Sequence, residues 1–405
     1  MRPTRLTLAL VAALAVTLLA GSVVLSAPAS AETAASATLT LTPAQNTAAT
    51  RAEATYAALQ RYFAVGDGTG LVREQFPVAV GDNPYSYEWP FSQVHVAALD
   101  LTGMPGARGA AHQGELTVRK AGQEQYWNAA GGLTGKPGYA SGVLPPNGTG
   151  GDFFYDDNEW VGLADMQTFL ASDDAASLRR AKQIFRLVVS GWDTDPTHAK
   201  PGGVFWTQAS WSTDRNTVSN MPGAELGLRL YQVTHDPYYL SWATKMYDWT
   251  NRWLQRPDGL YADHLALDGT VEPTVWSYNQ GVPVGVNVLF HEITHDPKYL
   301  VEAQRIATAS MSYFVAQGRL DSQPAPFNAI FFKNLLLLDA ATGSTQHRRA
   351  MADYADRLWR TVRNPATGLF SFSTPPGTTQ AIEQAAMAQI YAVLAWSPSR
   401  WNILY

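Results

Sequence analysis

The segment Thr234-His235-Asp236-Pro237-Tyr238-Tyr239-Leu240, followed by Ala243, returns sixty residues later as Thr294-His295-Asp296-Pro297-Lys298-Tyr299-Leu300, followed by Ala303. In both copies an Asp suited to cap a helix stands before a Pro suited to its first turn, so each junction ends one helix and starts the next. A weaker echo, Ser172-Asp173-Asp174 with Leu178 and Ala181, precedes them. Junctions repeated at this interval confine the chain to helical hairpins stacked in sequence. Gly/Pro-rich loops punctuate the rest, and the segments between them carry apolar residues at helical rather than alternating spacing. The pattern predicts twelve helices and no strand ladder, at about 43–63, 88–100, 113–129, 156–170, 174–190, 216–233, 237–254, 277–293, 297–316, 325–340, 344–363 and 378–395.

Six two-helix units form either an open solenoid or a closed ring. Polar signatures fall near the N-termini of the even-numbered helices: Trp89 and His95, Asp156 and Asp157, Asn216 and Asn220, then Tyr278, Asn279 and Gln280, then Asn328. If those helices form an inner ring, the signatures gather at one end. The expected fold is therefore all-α, an (α/α)6 barrel with its cleft over one mouth.

There is no cysteine, so stability must come from packing, and 46% hydrophobic residues with 13 Trp, 18 Tyr and 15 Phe supply the material. The net charge of −5, with no basic stripe, argues against a nucleic-acid partner. Abundant aromatic rings with little charge suit a sugar-like ligand better. Met1-Arg2-Pro3-Thr4-Arg5, an apolar run from Leu6 to about Leu25 and Ala27-Pro28-Ala29-Ser30-Ala31 read as an export signal cleaved after Ala31. A retained membrane anchor is the competing reading, disfavoured by the weak hydrophobicity of the Ala-rich run. Residues 32–42 read as a spacer, and 43–405 as the barrel domain, expected to act as an extracellular monomer.

The chemistry concentrates in Phe153-Phe154-Tyr155-Asp156-Asp157-Asn158-Glu159-Trp160. Adjacent carboxylates among aromatic rings lose hydration and repel each other, which opposes folding but suits a site needing one ionised and one protonated carboxyl group. A retaining glycosidase holds its two carboxyl groups about 5–5.5 Å apart and an inverting one about 6.5–9.5 Å, and sequence adjacency fits the shorter gap. The carboxylate that accepts free N–H groups at the helix start should stay ionised; its neighbour should resist ionisation. An ordinary helix cap beside a surface Asp is the plain alternative.

Metal readings are weaker. A D-D-x-x-D pattern fails at Trp160, and Asp193-Thr194-Asp195 lacks the remainder of a calcium loop. His291-Glu292-Ile293-Thr294-His295 is formally H-E-x-x-H, but His295 belongs to the repeated junction and Pro297 interrupts the helical face a zinc site requires. No metal or cofactor is expected.

Tyr155-Asp156-Asp157-Asn158 entering a Trp-containing helix, Gly191-Trp192-Asp193, Gly202-Gly203-Val204-Phe205-Trp206, Asn216 and Asn220, Ser277-Tyr278-Asn279-Gln280-Gly281 and the Asp-Pro-x-Tyr-Leu junctions occur in one order. In that joint order the chain resembles bacterial members of glycoside hydrolase family 76, the α-1,6-mannanases, from about Ala44 to Ala395. The resemblance implies an (α/α)6 barrel and retaining hydrolysis of α-1,6-mannosidic bonds, with Asp156 as nucleophile and Asp157 as acid/base; cutting within the chain is the first hypothesis. Trp89, Trp160, Trp206 and Tyr278 are candidates to stack on sugar, and His95, Asn158, Asn216, Asn220, Asn279 and Gln280 to line the cleft with them. Phe327-Asn328-Ala329-Ile330-Phe331-Phe332-Lys333 departs from the family's Lys-Gly-x-Phe and following Arg, which bears on linkage or chain-length preference. Transglycosylation within a cell envelope, and sugar binding without catalysis, are the competing functions.

Overall fold

The computed structural model describes residues 41–372 and 377–405. The expected export signal at 1–31 and nearly all of the spacer at 32–42 lie outside the described residues. Among these, no helix is long and apolar enough to cross a membrane.

The α-helices are α1 (Pro43–Phe63), α2 (Glu88–Thr102), the single turn α3 (Ala107–Ala110), α4 (Gln113–Gln123), α5 (Tyr155–Ser172), α6 (Ala175–Ser190), α7 (Thr217–Thr234), α8 (Pro237–Trp253), α9 (Tyr278–Thr294), α10 (Pro297–Ser310), α11 (Ala325–Thr342), α12 (Gln346–Thr361) and α13 (Ala381–Ala395). The repeated junction works as its sequence predicts. Asp236 and Asp296 accept from the N–H groups of Tyr238 and Lys298, each at 3.0 Å, with Pro237 and Pro297 in the first turn. His235 and His295 end the preceding helices in the left-handed region, at φ 55° and 58°. The weak echo is a third copy: Asp173 takes φ 56° and Asp174 caps α6 through the Ala176 N–H at 2.9 Å. Because His295 lies past the end of α9, His291 and His295 share no helical face, and the H-E-x-x-H reading fails on geometry.

Six helices close into a ring, α2 packing on α5, α5 on α7, α7 on α9, α9 on α11, α11 on α13 and α13 back on α2. These are the helices predicted to be inner. The fold is the expected α/α barrel, and α13, buried along its whole length, shows why an inner helix lacks a polar face. The outer helices α4, α6, α8, α10 and α12 pack on the inner helix before them, and α1 packs on α13, so the first and last helices close the ring. The N-termini of the inner helices all open on one mouth.

Two helix boundaries differ from expectation. The third predicted helix ends at Gln123 and passes through a 3-10 turn, Glu124–Tyr126, into a strand; the ninth leaves α geometry at Ser310 for a π-helical segment, Met311–Ala316. Strands also exist, contrary to the sequence reading. β1 (Gln75–Phe76) pairs with β7 (Thr379–Gln380), β2 (Trp127–Asn128) with β3 (Gly138–Tyr139), and β4 (Asp214–Asn216), β5 (His264–Ala266) and β6 (Val271–Glu272) form one small antiparallel sheet. At two or three residues each they are too short for alternation to be legible.

Lys333, part of the departure noted above, pairs with Asp100 at 3.2 Å inside the ring, where Gln167 also donates to Asp100 at 2.8 Å. Asn328 is buried too, donating to the Leu320 carbonyl and the Tyr354 hydroxyl.

Candidate active site

The chain enters α5 at Phe154, whose side chain cannot cap a helix. A connecting segment does this work instead. The Tyr155 N–H donates to the Trp206 carbonyl at 2.9 Å, and Thr207 Oγ1 and the Gln208 N–H both donate to the Phe153 carbonyl. The cap reading of the aspartates therefore fails: the N-cap position is Phe154, and both aspartates fall inside the first turn, Asp156 buried and Asp157 half-buried.

Both aspartates line a cavity of about 420 Å³ at the mouth of the ring. Trp89, Trp160, Trp206, Asn216 and Tyr278 line it with them, as the sequence predicts. Trp160 is almost fully buried, its ring centre 5.9 Å from that of Trp89 and 6.4 Å from that of Tyr278. Tyr278 stacks on Phe327 at 3.8 Å with the planes 8° apart.

The two carboxyl groups sit in different fields. Burial, then the charge of Asp157, pushes Asp156 well above the usual carboxylate range, while the Trp206 indole N–H, 3.3 Å from Oδ2, and nearby backbone N–H groups favour its ionised form. Its Oδ1 is buried with no hydrogen-bond partner among the described residues. Asp157 is also raised, by burial and then by the charge of Glu88, with no hydrogen bond to offset it. Glu88 is itself buried and raised by desolvation, one oxygen accepting from Gln123 Nε2 at 2.6 Å. Glu159, directed at the backbone beside Gly223, adds a further buried acid whose carboxyl group is raised by burial and by Asp156.

Other predicted residues do different work. Asn158, Asn220 and Gln280 stand in the first turns of α5, α7 and α9, and each amide grips both the N–H and the carbonyl of one residue in the preceding connection. Asn158 pairs this way with Tyr139 at 2.7 and 3.0 Å, Asn220 with Val204 at 2.8 and 3.3 Å, and Gln280 with Tyr261 at 2.7 and 3.0 Å. Gln384 in α13 repeats the grip on the Phe370 N–H and the Gly368 carbonyl. None of the three predicted amides lines the cavity. Asn279 acts indirectly, donating to Asp263 at 3.3 Å. His95 is buried beneath the mouth, held neutral by a pKa lowered to about 3, chiefly through desolvation.

Asp214, Asp263, His264, Trp276 and Phe327 complete the wall and were not anticipated from the sequence. Asp263 faces His264 Nδ1 at 3.1 Å, and this bond raises the His264 pKa. Asp214 and His264 lie on β4 and β5, strands without a periodic signature; Asp214 stands just ahead of α7, and His264 reaches the mouth because β5 pairs with β4. Four carboxyl groups and a set of aromatic faces make a cavity that disfavours anions and suits an uncharged polyhydroxylated ligand.

The described residues thus form a closed ring of six helical hairpins with paired acids in an aromatic cavity at its mouth. Residues 47–391 match glycosyl hydrolase family 76, and the chain belongs to that family. Among solved structures it is similar to a family 76 mannosidase from Bacteroides thetaiotaomicron, with 23% identity and a TM-score of 0.74 over 86% of this chain and 98% of that one. It is also similar to an inactive variant of an α-1,6-mannanase from Salegentibacter sp., in which two consecutive aspartates are replaced by asparagine, complexed with α-1,6-mannotriose. There the identity is 19% and the TM-score 0.68, over 86% and 99% of the two chains. These likenesses bear on the fold. A mannan endo-1,6-alpha-mannosidase of Candida glabrata is 27% identical over 227 residues, 51% of this chain and 46% of that protein. The chain spans less than half the length of the curated relatives it matches.

Proposed function

We propose that this chain is an exported, retaining glycosidase that cuts α-1,6-mannosidic bonds within mannan, with Asp156 as nucleophile and Asp157 as acid and then base. The observation that carries the assignment is the difference in hydrogen bonding within a pair whose pKa values are both raised: the Trp206 indole N–H reaches Asp156 Oδ2 at 3.3 Å and favours its ionised form, while Asp157 accepts no such bond and lies in the field of Glu88. A carboxylate Oδ of Asp156 attacks the anomeric carbon as the glycosidic C–O bond breaks, and the departing oxygen takes the Asp157 proton. Asp157, now ionised, removes a proton from water; the water oxygen bonds to the anomeric carbon and Asp156 leaves, restoring the starting configuration. The substrate follows from the names of the relatives and from the mannotriose complex, and a cavity of aromatic faces and carboxyl groups, suited to a neutral polyhydroxylated ligand, agrees with it. Export rests on the sequence of residues 1–31.

The experiment is digestion of linear α-1,6-mannan, with unrelated glucans and chitin in parallel, following the anomer first released by NMR. The α-anomer is expected. First release of the β-anomer overturns retention, and cleavage of another glycan but not of the mannan removes the substrate. Longer chains without new reducing ends would replace hydrolysis by transglycosylation.

A further inference from the structure

Few large aromatic side chains of the described residues face solvent: Trp211 is 54% exposed, Tyr87 52% and Tyr238 39%. Tyr238 opens the outer helix α8, at the far end of the barrel from the cavity. The other two stand at the mouth. Trp211 lies in the connection entering α7, and Tyr87 immediately precedes α2; α2 and α7 are the two ring neighbours of α5, which carries the aspartates. The exposed rings therefore flank the catalytic helix on opposite sides.

Trp211 packs against a residue of the cavity wall, and the Tyr87 backbone is anchored next to that wall. Trp211 sits in a turn closed by the Ser212 N–H on the Ala209 carbonyl at 3.0 Å. Its ring meets Trp206 nearly edge-on, centres 6.2 Å apart at 77°, and lies 6.1 Å from Phe154, so packing holds it without covering it. Trp206 is the residue that hydrogen-bonds Asp156. On the other side the Tyr87 N–H is tied to Glu74 at 2.9 Å, and the ring lines a separate cleft of about 390 Å³ with Tyr85, Asn83 and Asn147, two residues before the cavity wall at Trp89. A half-exposed aromatic face, packed on other rings at Trp211 and beside Asn83 and Asn147 at Tyr87, offers an apolar plane that matches the C–H face of a pyranose.

We propose that Trp211 and Tyr87 are outer platforms on which a glycan stacks to either side of the aspartate pair, so that the enzyme grips sugars on both sides of the bond it cuts. This rests on the glycosidase reading above. The test compares Trp211→Ala and Tyr87→Ala, with Trp211→Phe and Tyr87→Phe as conservative partners, on α-1,6-mannotriose and α-1,6-mannohexaose. Each Ala variant should lower the hexaose-to-triose ratio of kcat/KM about tenfold, with substantial recovery in its Phe partner. With hexaose labelled at the reducing end, the two Ala variants should move the cut in opposite directions. Equal losses on both substrates, or an unchanged ratio, overturn the platforms while leaving the activity assigned. Wild-type enzyme that cleaves neither oligosaccharide overturns the substrate reading, and the platforms as mannan sites with it.

Discussion

The Trp206 indole N–H donates to Asp156 Oδ2 at 3.3 Å, across two segments joined in part by the Trp206 carbonyl, which accepts the first N–H of α5. One stretch of chain thus both starts α5 and supplies the indole N–H that favours the ionised form of its first carboxyl group. Trp206→Phe keeps the ring and removes the donor. Without it the ionised form of Asp156 loses support, its pKa rises, and the acidic limb of the kcat/KM profile should move to higher pH, as a pH-rate series on mannan will read. An unmoved limb would detach Trp206 from the nucleophile.

Asp156→Asn and Asp157→Asn should each lower kcat by about 10²–10⁴-fold or more. An aryl α-mannoside with a good leaving group needs no proton donor, so its glycosylation step should survive far better in Asp157→Asn than in Asp156→Asn. The reverse order would exchange the two roles.

Stability should show the same pair from the other side. Both carboxyl pKa values are raised in the folded state, so the native protein holds protons that the unfolded chain releases. Stability then falls as pH rises from the ordinary carboxylate range toward the raised values. The double variant Asp156→Asn/Asp157→Asn cannot ionise at these positions, so its thermal midpoint should depend less on pH across that window than the wild-type midpoint does. Parallel midpoint curves would sink the claim that the pair is strained by burial.

Glu88→Gln keeps the acceptor used by Gln123 and removes a charge that opposes ionisation of Asp157. The Asp157 pKa should fall, moving the alkaline limb of the pH-rate profile to lower pH with a smaller effect on the acidic limb. A limb that stays put would show that Glu88 is protonated throughout the working range.

The barrel was legible because its helices are long and its junctions repeat: Asp236-Pro237 and Asp296-Pro297 announce themselves in a way that two-residue strands cannot. The aspartate pair, here proposed as catalytic, stood out in the sequence because two adjacent acids among aromatic residues are costly to bury, and the structure puts both on the cavity wall. Asp263 and His264 were missed, since their relevance depends on which connection crosses the mouth, and no local pattern encodes that. The amides were misassigned for an instructive reason. Asn158, Asn220 and Gln280 recur near helix starts at the mouth, as sugar contacts would, but the recurrence comes from a structural need shared by the hairpins.

That need can be measured at Asn220, whose side chain is fully buried and spans the N–H and carbonyl of Val204. Val204 precedes Phe205 and Trp206, so the grip fixes the connection that reaches Asp156. Asn220→Ala leaves two buried backbone groups without partners, and each group left unsatisfied costs about 1–3 kcal/mol. The thermal midpoint should drop by several degrees. Because Asn220 lies behind the wall rather than on it, weakened sugar binding should follow only from displacement of Trp206, so Trp206→Phe and Asn220→Ala should be less than additive in kcat/KM. A higher KM with an unchanged midpoint would return Asn220 to the sugar.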